Sequence, residues 1–440
     1  MVRHAGSPVR SARLTSLLGV ALGVAFGVCF VTGLLSHLIQ HPPGWFWWPS
    51  RPVWFYQFTQ GLHVATGLAT LPLLGVKLWA VYPKLFIWPP VRGVVHAAER
   101  GSVAVLVSAA LFQVVGGLFN VYHWYGLMSF FFTTGHYWVA WLAIGALLVH
   151  IAVQLPVVRG QLGHPGSGDP GRRANPADSR RRMKAADPSD TADPLDPADT
   201  AGPSDTAGPS ETADLAGPAD LAGPADLAGP ADLAGPGDHG DHGDHGDPGR
   251  RRLLAGTAAV AGLITLATAG QTVRWLAPVS VLAPRREKLP VNRTAAAAGI
   301  GVVGGGYRLV VTGGAREVAL GLDQLNDLDQ YTAELPIACV EGWSATATWS
   351  GVRLRDLVAL AGGDPERSAV LVESLQQGGR YRASEVPAEH VRDPLTLIAL
   401  RVDGMVLPPD HGYPARLIAP NRPGVLQTKW VARLTVRERS

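Results

Sequence analysis

Cysteine is scarce: the 440 residues hold only two, Cys29 and Cys339. Cys29 lies in a long apolar run and Cys339 in a stretch of ordinary soluble composition, so the two are expected in different phases and no intramolecular disulfide is expected. Such scarcity suits an exported domain that avoids stray oxidation, where a single retained thiol is either chemical or a buried structural group. Net charge is small at +3, and no basic block is interleaved with aromatics, which argues against nucleic acid as a partner. Large apolar side chains are few from about Gly160 to Gly249. Chain entropy there cannot be offset by burial, which excludes a packed core and predicts a disordered tether.

Long apolar runs are what the sequence does have. Leu14–Leu38, Phe55–Val81, Ser102–Val121, His136–Val158 and Leu253–Val273 are each long enough to cross ~30 Å of hydrocarbon at ~1.5 Å per residue. Arg3, Arg10 and Arg13 precede the first run; Lys84, Arg92 and Arg100 lie between the second and third; Arg159, Arg172, Arg173 and Arg180 to Arg182 follow the fourth. The intervening loops hold Arg51 alone, or no Lys or Arg between Asn120 and Gly135. The positive-inside rule therefore places the N-terminus and the tether in the cytoplasm and the region after the fifth span outside, with membrane lipid as a partner. Trp45, Trp47, Trp48, Trp54, Trp124 and Tyr125 fit an aromatic belt on the outer side.

Histidine inside a bilayer is costly and usually functional. His136 and His150 are separated by nearly whole helical turns on one span, so both rings face one way, about 21 Å apart along the axis. That suits two stacked haems, each needing an axial partner from another helix. His63 matches the outer depth of His136, and His96, just before the third span, the inner depth of His150. The alternative is that these rings bond to neighbouring helices or sit among headgroups. Gly61, Gly67, Gly116 and Gly117 leave room beside the backbone for a macrocycle, and His37 and His41 read as interfacial or quinone-adjacent. The stretches GLHVATGLATLPLLGVKLW, HAAERGSVAVLVSAALFQVVGG and HYWVAWLAIGALLVHIAVQLP together resemble bacterial membrane cytochromes b, over about residues 14–158. The resemblance implies one or two b-type haems and exchange with quinone or quinol.

Units of the AGPADL type recur from Ala213 to Pro236, followed by DHG repeats from Asp238 to Gly246. A solvated spacer and a weak metal-binding tract are the two readings. Arg250-Arg251-Arg252-Leu253-Leu254 then resembles a twin-arginine export signal, which moves folded domains; simple positive-inside anchoring would use the same residues.

From Tyr307 the pattern changes again. Tyr307–Thr312, Leu335–Val340, Ala369–Ser374, Leu395–Val402 and Arg416–Ala419 read as short strands, and Val352–Gly362 as a helix with a glycine stop. This is a strand-rich α+β domain of roughly 150 residues. LPIACVEGWSATATWSGVRLRDLV and DHGYPARLIAPNRPGVLQTKWVARLTV resemble the molybdopterin-binding domain of the sulfite oxidase family, over about Leu289 to Arg437. The resemblance implies a molybdenum-molybdopterin cofactor with Cys339 as thiolate ligand. It implies Arg416 and Lys429 near its phosphate and pterin, His411 and Tyr413 lining the pocket, and Asn292, Arg293 and Thr294 beginning the pterin cradle. Glu341 and Trp343 would shape the substrate mouth, with Tyr381 approaching between Arg380 and Arg382. Animal and plant sulfite oxidases carry an arginine-rich stretch after the ligand; Val340-Glu341-Gly342-Trp343-Ser344 instead offers an acid and an indole, closer to bacterial periplasmic methionine sulfoxide reductases. A carboxylate there would repel sulfite.

The expected organisation is therefore a four-helix transmembrane cytochrome b-like bundle (14–158), a disordered cytoplasmic linker (159–249), a basic motif and fifth transmembrane helix (250–280), and an α+β molybdopterin domain outside (289–437). The expected activity links quinone, through haem, to oxygen-atom transfer at molybdenum with a small oxo-acceptor or donor, with reduction of an S-oxide or N-oxide favoured. Catalytic candidates are Cys339, Tyr381 and Glu341. The alternatives are oxidation of a small substrate with electrons passed to quinone, or a non-catalytic electron conduit or sensor.

Overall fold

The computed structural model describes residues 11–85, 93–127, 132–162, 248–270, 276–281 and 289–438. Nearly all of the expected linker lies outside them.

Five helices are long and apolar enough to cross a membrane: α1 Ala12–Gln40, α2 Phe55–Leu85, α3 Val94–Tyr122, α4 Phe132–Leu162 and α5 Pro248–Ala269. Ser11 caps α1, its hydroxyl accepting from the Leu14 amide at 3.2 Å, and the Pro42-Pro43 pair lies just past its end. α3 ends where His123 turns left-handed at φ 59°. The helices outrun the apolar stretches because hydropathy marks the crossing, not the helix end. In consequence His96 sits in the first turn of α3 and not in the preceding loop as expected. α1 packs against α2 and α4, α3 against α4, and α5 against α2.

After α5 comes the α+β domain, with two sheets. The first has the order β2-β1-β10-β5-β6 and the second β3-β4-β7-β8, with β9 paired to β7. Their ranges are β1 Leu309–Thr312, β2 Val318–Leu320, β3 Tyr331–Ala338, β4 Ser344–Arg353, β5 Ser368–Ser374, β6 Ala383–Val386, β7 Leu397–Val402, β8 Met405–Val406, β9 Arg416–Ile418 and β10 Val431–Glu438. Three short helices, α6 Leu322–Asp327, α7 Leu354–Leu360 and α8 Ala388–Arg392, connect them. Leu354, Leu357 and Val358 of α7 are fully buried against Leu309, Val370, Leu434 and their neighbours. Each such side chain contributes about 1.5–3 kcal/mol.

The second core sets the position of the thiol. Leu335, Ile337, Trp349, Leu397 and Ile418 pack together around the β3–β4 hairpin. The pairing of β3 with β4 runs from Tyr331 opposite Gly351 to Ala338 opposite Ser344. Cys339 is thus the first residue of the hairpin loop, one place beyond the strand that was expected to contain it.

Candidate functional site

The hairpin loop Cys339–Trp343 is closed by two backbone bonds. The Cys339 amide donates to the Trp343 carbonyl at 2.8 Å, and the Gly342 amide to the Cys339 carbonyl at 3.0 Å. Gly342 has φ +85°, and a Cβ there would come within 3.1 Å of Val64 in α2. Glycine is required both by the turn and by this approach to the bundle.

The Cys339 side chain is 1% exposed, yet it lines a small cavity. Leu289, Asn292, Trp343, His411, Arg416 and Lys429 share that lining. Six sequence candidates, scattered from Asn292 to Lys429, therefore meet at one place. Arg416 donates to the His411 carbonyl at 3.1 Å, and its Nε is buried without a partner. Burial lowers its pKa to about 10, although the Cys339 thiolate acts the other way. Lys429 donates to the carbonyls of Arg293 and Asp410 at 2.6 and 2.9 Å. Burial pushes its ammonium down to about 7, with Arg416 adding to the fall. Gly412, at φ +113°, would meet the Arg416 and Lys429 stems at 3.2 Å if it carried a Cβ, so glycine lets the backbone close on both. Two buried cations, one with an unused donor, fit an anion bearing several acceptor oxygens. A soft thiolate beside them fits a thiophilic metal. The donor set suits a phosphate-bearing pterin and molybdenum.

The other candidates take different places. The Arg293 guanidinium turns to the Ala297 carbonyl at 2.9 Å, and Thr294 Oγ1 accepts from the Ala297 amide at 3.1 Å. Both shape the cavity edge through backbone. Tyr413 packs against the Trp349 core. Glu341 accepts from the Trp343 indole at 2.9 Å and pairs with His123, at the end of α3, at 3.1 Å. Its carboxylate thus fastens the loop to the bundle. Arg382 pairs with Glu373 at 3.6 Å. Tyr381 donates to Gln40 Oε1 at 3.3 Å, and burial, aided by the nearby Cys339, raises its pKa.

A second cavity, of about 530 Å³, lies among α1 to α4, within the roughly 300–1,000 Å³ range of small-molecule and cofactor sites. The rings of His63 and His136 face each other across it, centroids 6.1 Å apart. That is about the spacing one shared metal requires, at roughly 2 Å from each ligating nitrogen. His63 Nδ1 lies 2.9 Å from the Cys29 carbonyl. A carbonyl only accepts, so the ring proton sits on Nδ1 and Nε2 keeps its lone pair, the usual arrangement of a metal-ligating histidine. His136 Nδ1 is buried without a partner. Gly33 makes room: a Cβ there would come within 3.0 Å of the His63 ring. Gly67 and Gly117 line the cavity, while a Cβ on Gly116 would meet Phe132. His63 and His136 would hold an apolar, imidazole-ligated cofactor here. No ring contact joins the other expected pair, His96 and His150, among the described residues; His150 has Lys77 as a charged neighbour. His37 stacks on Tyr137 at 3.8 Å and on His41 at 4.6 Å, near the polar end of the cavity.

Neighbouring residues of one hairpin loop line the two cavities, Cys339 the small one and Val340 the large one. Asn120 of α3 donates to the Val340 carbonyl at 3.1 Å. Sequence reasoning missed Asn120, together with the other groups that seat the domain on the bundle. Asn421 accepts from the Tyr56 amide at 2.7 Å and donates to the Pro49 carbonyl at 2.7 Å. Arg51 forks onto Asp393 at 2.9 and 3.0 Å. Arg51, the lone cation between the first two spans, was the one available signal.

Comparison with a family model falls on the same domain. Residues 301–440 match the oxidoreductase molybdopterin binding domain. Human mitochondrial sulfite oxidase is 31% identical over 159 residues, covering 30% of this chain and 29% of that protein. A chain of Azospira oryzae named as a protein-methionine-sulfoxide reductase subunit is 32% identical over 131 residues, covering 30% of this chain and 48% of that one. The sulfane dehydrogenase SoxCD of Paracoccus pantotrophus aligns at 25% identity and a TM-score of 0.30, covering 32% of this chain and 40% of that one. The chain therefore spans less than a third of sulfite oxidase and about half of the Azospira protein.

Proposed function

We propose that this chain, whose residues 301–440 match the oxidoreductase molybdopterin binding domain, is a membrane-bound oxidoreductase of the sulfite oxidase family that draws electrons from quinol and reduces a small S-oxide or N-oxide. The observation that carries this reading is an adjacency in the chain: Cys339 lines the small cavity, and Val340, the next residue, lines the cavity of His63 and His136.

In this reading Cys339 supplies the thiolate to molybdenum, while Arg416 and Lys429 hold the anionic part of the pterin, with Asn292 and His411 beside it. His63 and His136 hold one b-type haem. Bound molybdenum supplies two-electron oxygen-atom transfer, and bound haem supplies one-electron carriage. The protein's own contribution is position. Asn120, the Glu341–His123 pair and the Arg51–Asp393 fork keep the thiolate loop against the histidine cavity. Tyr381, held by Gln40, presents a phenol near Cys339 to a substrate oxygen. The distribution of Lys and Arg supports an inner N-terminus and tether and an outer catalytic domain, and Arg250 to Arg252 at the start of α5 support export of that domain already folded. Reduction of a methionine sulfoxide agrees with the name of the Azospira relative and with an acidic loop unsuited to sulfite.

The test is optical. A quinol analogue added to the purified full-length protein should reduce a b-type Soret band, and methionine sulfoxide or trimethylamine N-oxide should reoxidise it. Reduction of that band by a sulfur substrate, with reoxidation by quinone, would reverse the assignment.

A further inference from the structure

The large cavity is not closed by the bundle alone. Its far end is formed by Arg380 and Tyr381, on the loop between β5 and β6 of the C-terminal domain. Most of the lining is aliphatic or aromatic. Among the described residues that line it, Arg380 is the one Lys or Arg, and Asp and Glu do not occur. Its guanidinium reaches two groups of the bundle: His41 Nε2 at 2.7 Å and Thr134 Oγ1 at 3.3 Å. A guanidinium only donates, so His41 Nε2 accepts and that ring is neutral. Its proton then lies on Nδ1, which faces the His37 carbonyl at 3.3 Å. The cavity thus has an apolar body with two facing imidazoles and one cationic end.

That asymmetry matches a haem, an apolar macrocycle with carboxylates along one edge. The macrocycle belongs in the apolar section, and buried carboxylates need charged or hydrogen-bonding partners. We propose that Arg380 pairs with the carboxylate edge of the haem held by His63 and His136, so that the membrane cofactor site is completed by the exterior domain. This inference rests on the haem assignment above.

The loop carrying Arg380 also touches the other cavity's edge. Gly379, at φ +99°, has no Cβ, and one placed there would lie 2.7 Å from the Arg293 guanidinium. Arg293 in turn offers its carbonyl to Lys429. One short loop therefore connects the cationic end of the haem cavity to the cation cradle beside Cys339.

The experiment is a redox titration of the purified holoprotein, followed at the Soret band, for wild type, Arg380→Gln, Arg380→Lys and Arg382→Gln. Loss of a positive charge beside the haem favours its oxidised form. Arg380 is exposed and partly screened, so Arg380→Gln should shift the reduction equilibrium about threefold toward oxidised haem, or ~30 mV at 59 mV per tenfold for one electron. Arg380→Lys should restore most of the shift, and Arg382→Gln should leave the potential unchanged. Redox-difference infrared spectra should show a displaced carboxylate band in Arg380→Gln only. Should Arg380→Gln lose the domain contact altogether, the displaced carboxylate band must still be absent from Arg382→Gln and reversed by Arg380→Lys. A wild-type haem whose potential and carboxylate band are indifferent to Arg380→Gln overturns this inference alone. A wild-type protein lacking haem overturns the haem assignment with it.

Discussion

The cavity at Cys339 and the cavity at His63 and His136 are lined by consecutive residues of one loop, Cys339 and Val340, and are built on opposite principles. The first is narrow and carries its specificity in charge: two buried cations and a thiol, all on loops and strand ends of a rigid double-sheet domain. The second is about 530 Å³ and carries its specificity in shape: helix walls of aliphatic and aromatic side chains, two imidazoles and a glycine that makes room for one of them. A charged cradle has to be dry and tight because cations tolerate burial only beside an anion. An apolar slot can be wide because a macrocycle fills it by contact. The seam between them is polar, made of single hydrogen bonds and ion pairs, which hold a geometry without requiring a large apolar interface.

The sharpest way to break the comparison is to disable each cavity in turn. Cys339→Ala should abolish sulfoxide-dependent turnover by more than the ~100-fold typical of losing a group that merely supports a ligand, while the Soret band stays intact. His136→Ala should remove that band and quinol-driven turnover, while metal analysis still finds molybdenum. Loss of both cofactors in either variant would mean that the two sites are not independently built.

A smaller effect should come from the seam. Asn120→Leu removes the bond to the Val340 carbonyl and leaves both sets of ligands in place. Rapid-mixing spectra should show haem reoxidation by substrate slowed about tenfold, a loss of ~1.4 kcal/mol, with unchanged cofactor content. An unchanged rate would show that this contact has no part in coupling the cavities.

The smallest expected effect concerns charge in the empty cradle. Lys429 in the folded, cofactor-free protein releases its proton near pH 7, whereas an unfolded lysine keeps it to ~10.4. Between those values the unfolded chain binds more protons, so stability rises with pH. Melting of cofactor-free protein, followed by near-ultraviolet circular dichroism, should therefore shift upward by about 2–8 °C from pH 7 to pH 9. Lys429→Met should flatten that rise, and so should the bound cofactor, whose negative charge keeps the ammonium protonated.

Legibility from the sequence differed between the two cavities for a physical reason. The five crossings were readable because a bilayer demands about twenty apolar residues in a row, and His63 and His136 stood out because imidazoles are costly there. The helix ends were less readable, which is why His96 was expected in a loop. In the sheet domain, the segments of β1, β3, β5, β7 and β9 were visible as short alternating runs. Strands β4 and β10 were not, since ATATWSG and VARLTVRE mix small, charged and aromatic residues whose burial depends on their partners. Cys339, Arg416 and Lys429 were found through family likeness, and their convergence is a property of strand pairing.

The role of Glu341 illustrates the limit. As a residue it offers a carboxylate beside the thiol, suggestive of substrate contact. Only in the folded chain does His123 arrive from α3 to take it up. Arg380 is the mirror case: an arginine expected beside the substrate lines a cavity formed by helices far from it in sequence.

What the amino-acid sequence determined by itself was the kind of each described part: five helices long and apolar enough to cross a membrane, and a mixed sheet domain. These follow from local composition and period, which act over a helix turn or a strand. Which cavity the candidate residues line, and that Cys339 and Val340 line different ones, only the tertiary structure decided. Such contacts join residues hundreds of positions apart, and they exist only once hydrophobic burial has brought the sheet domain down onto the helix ends.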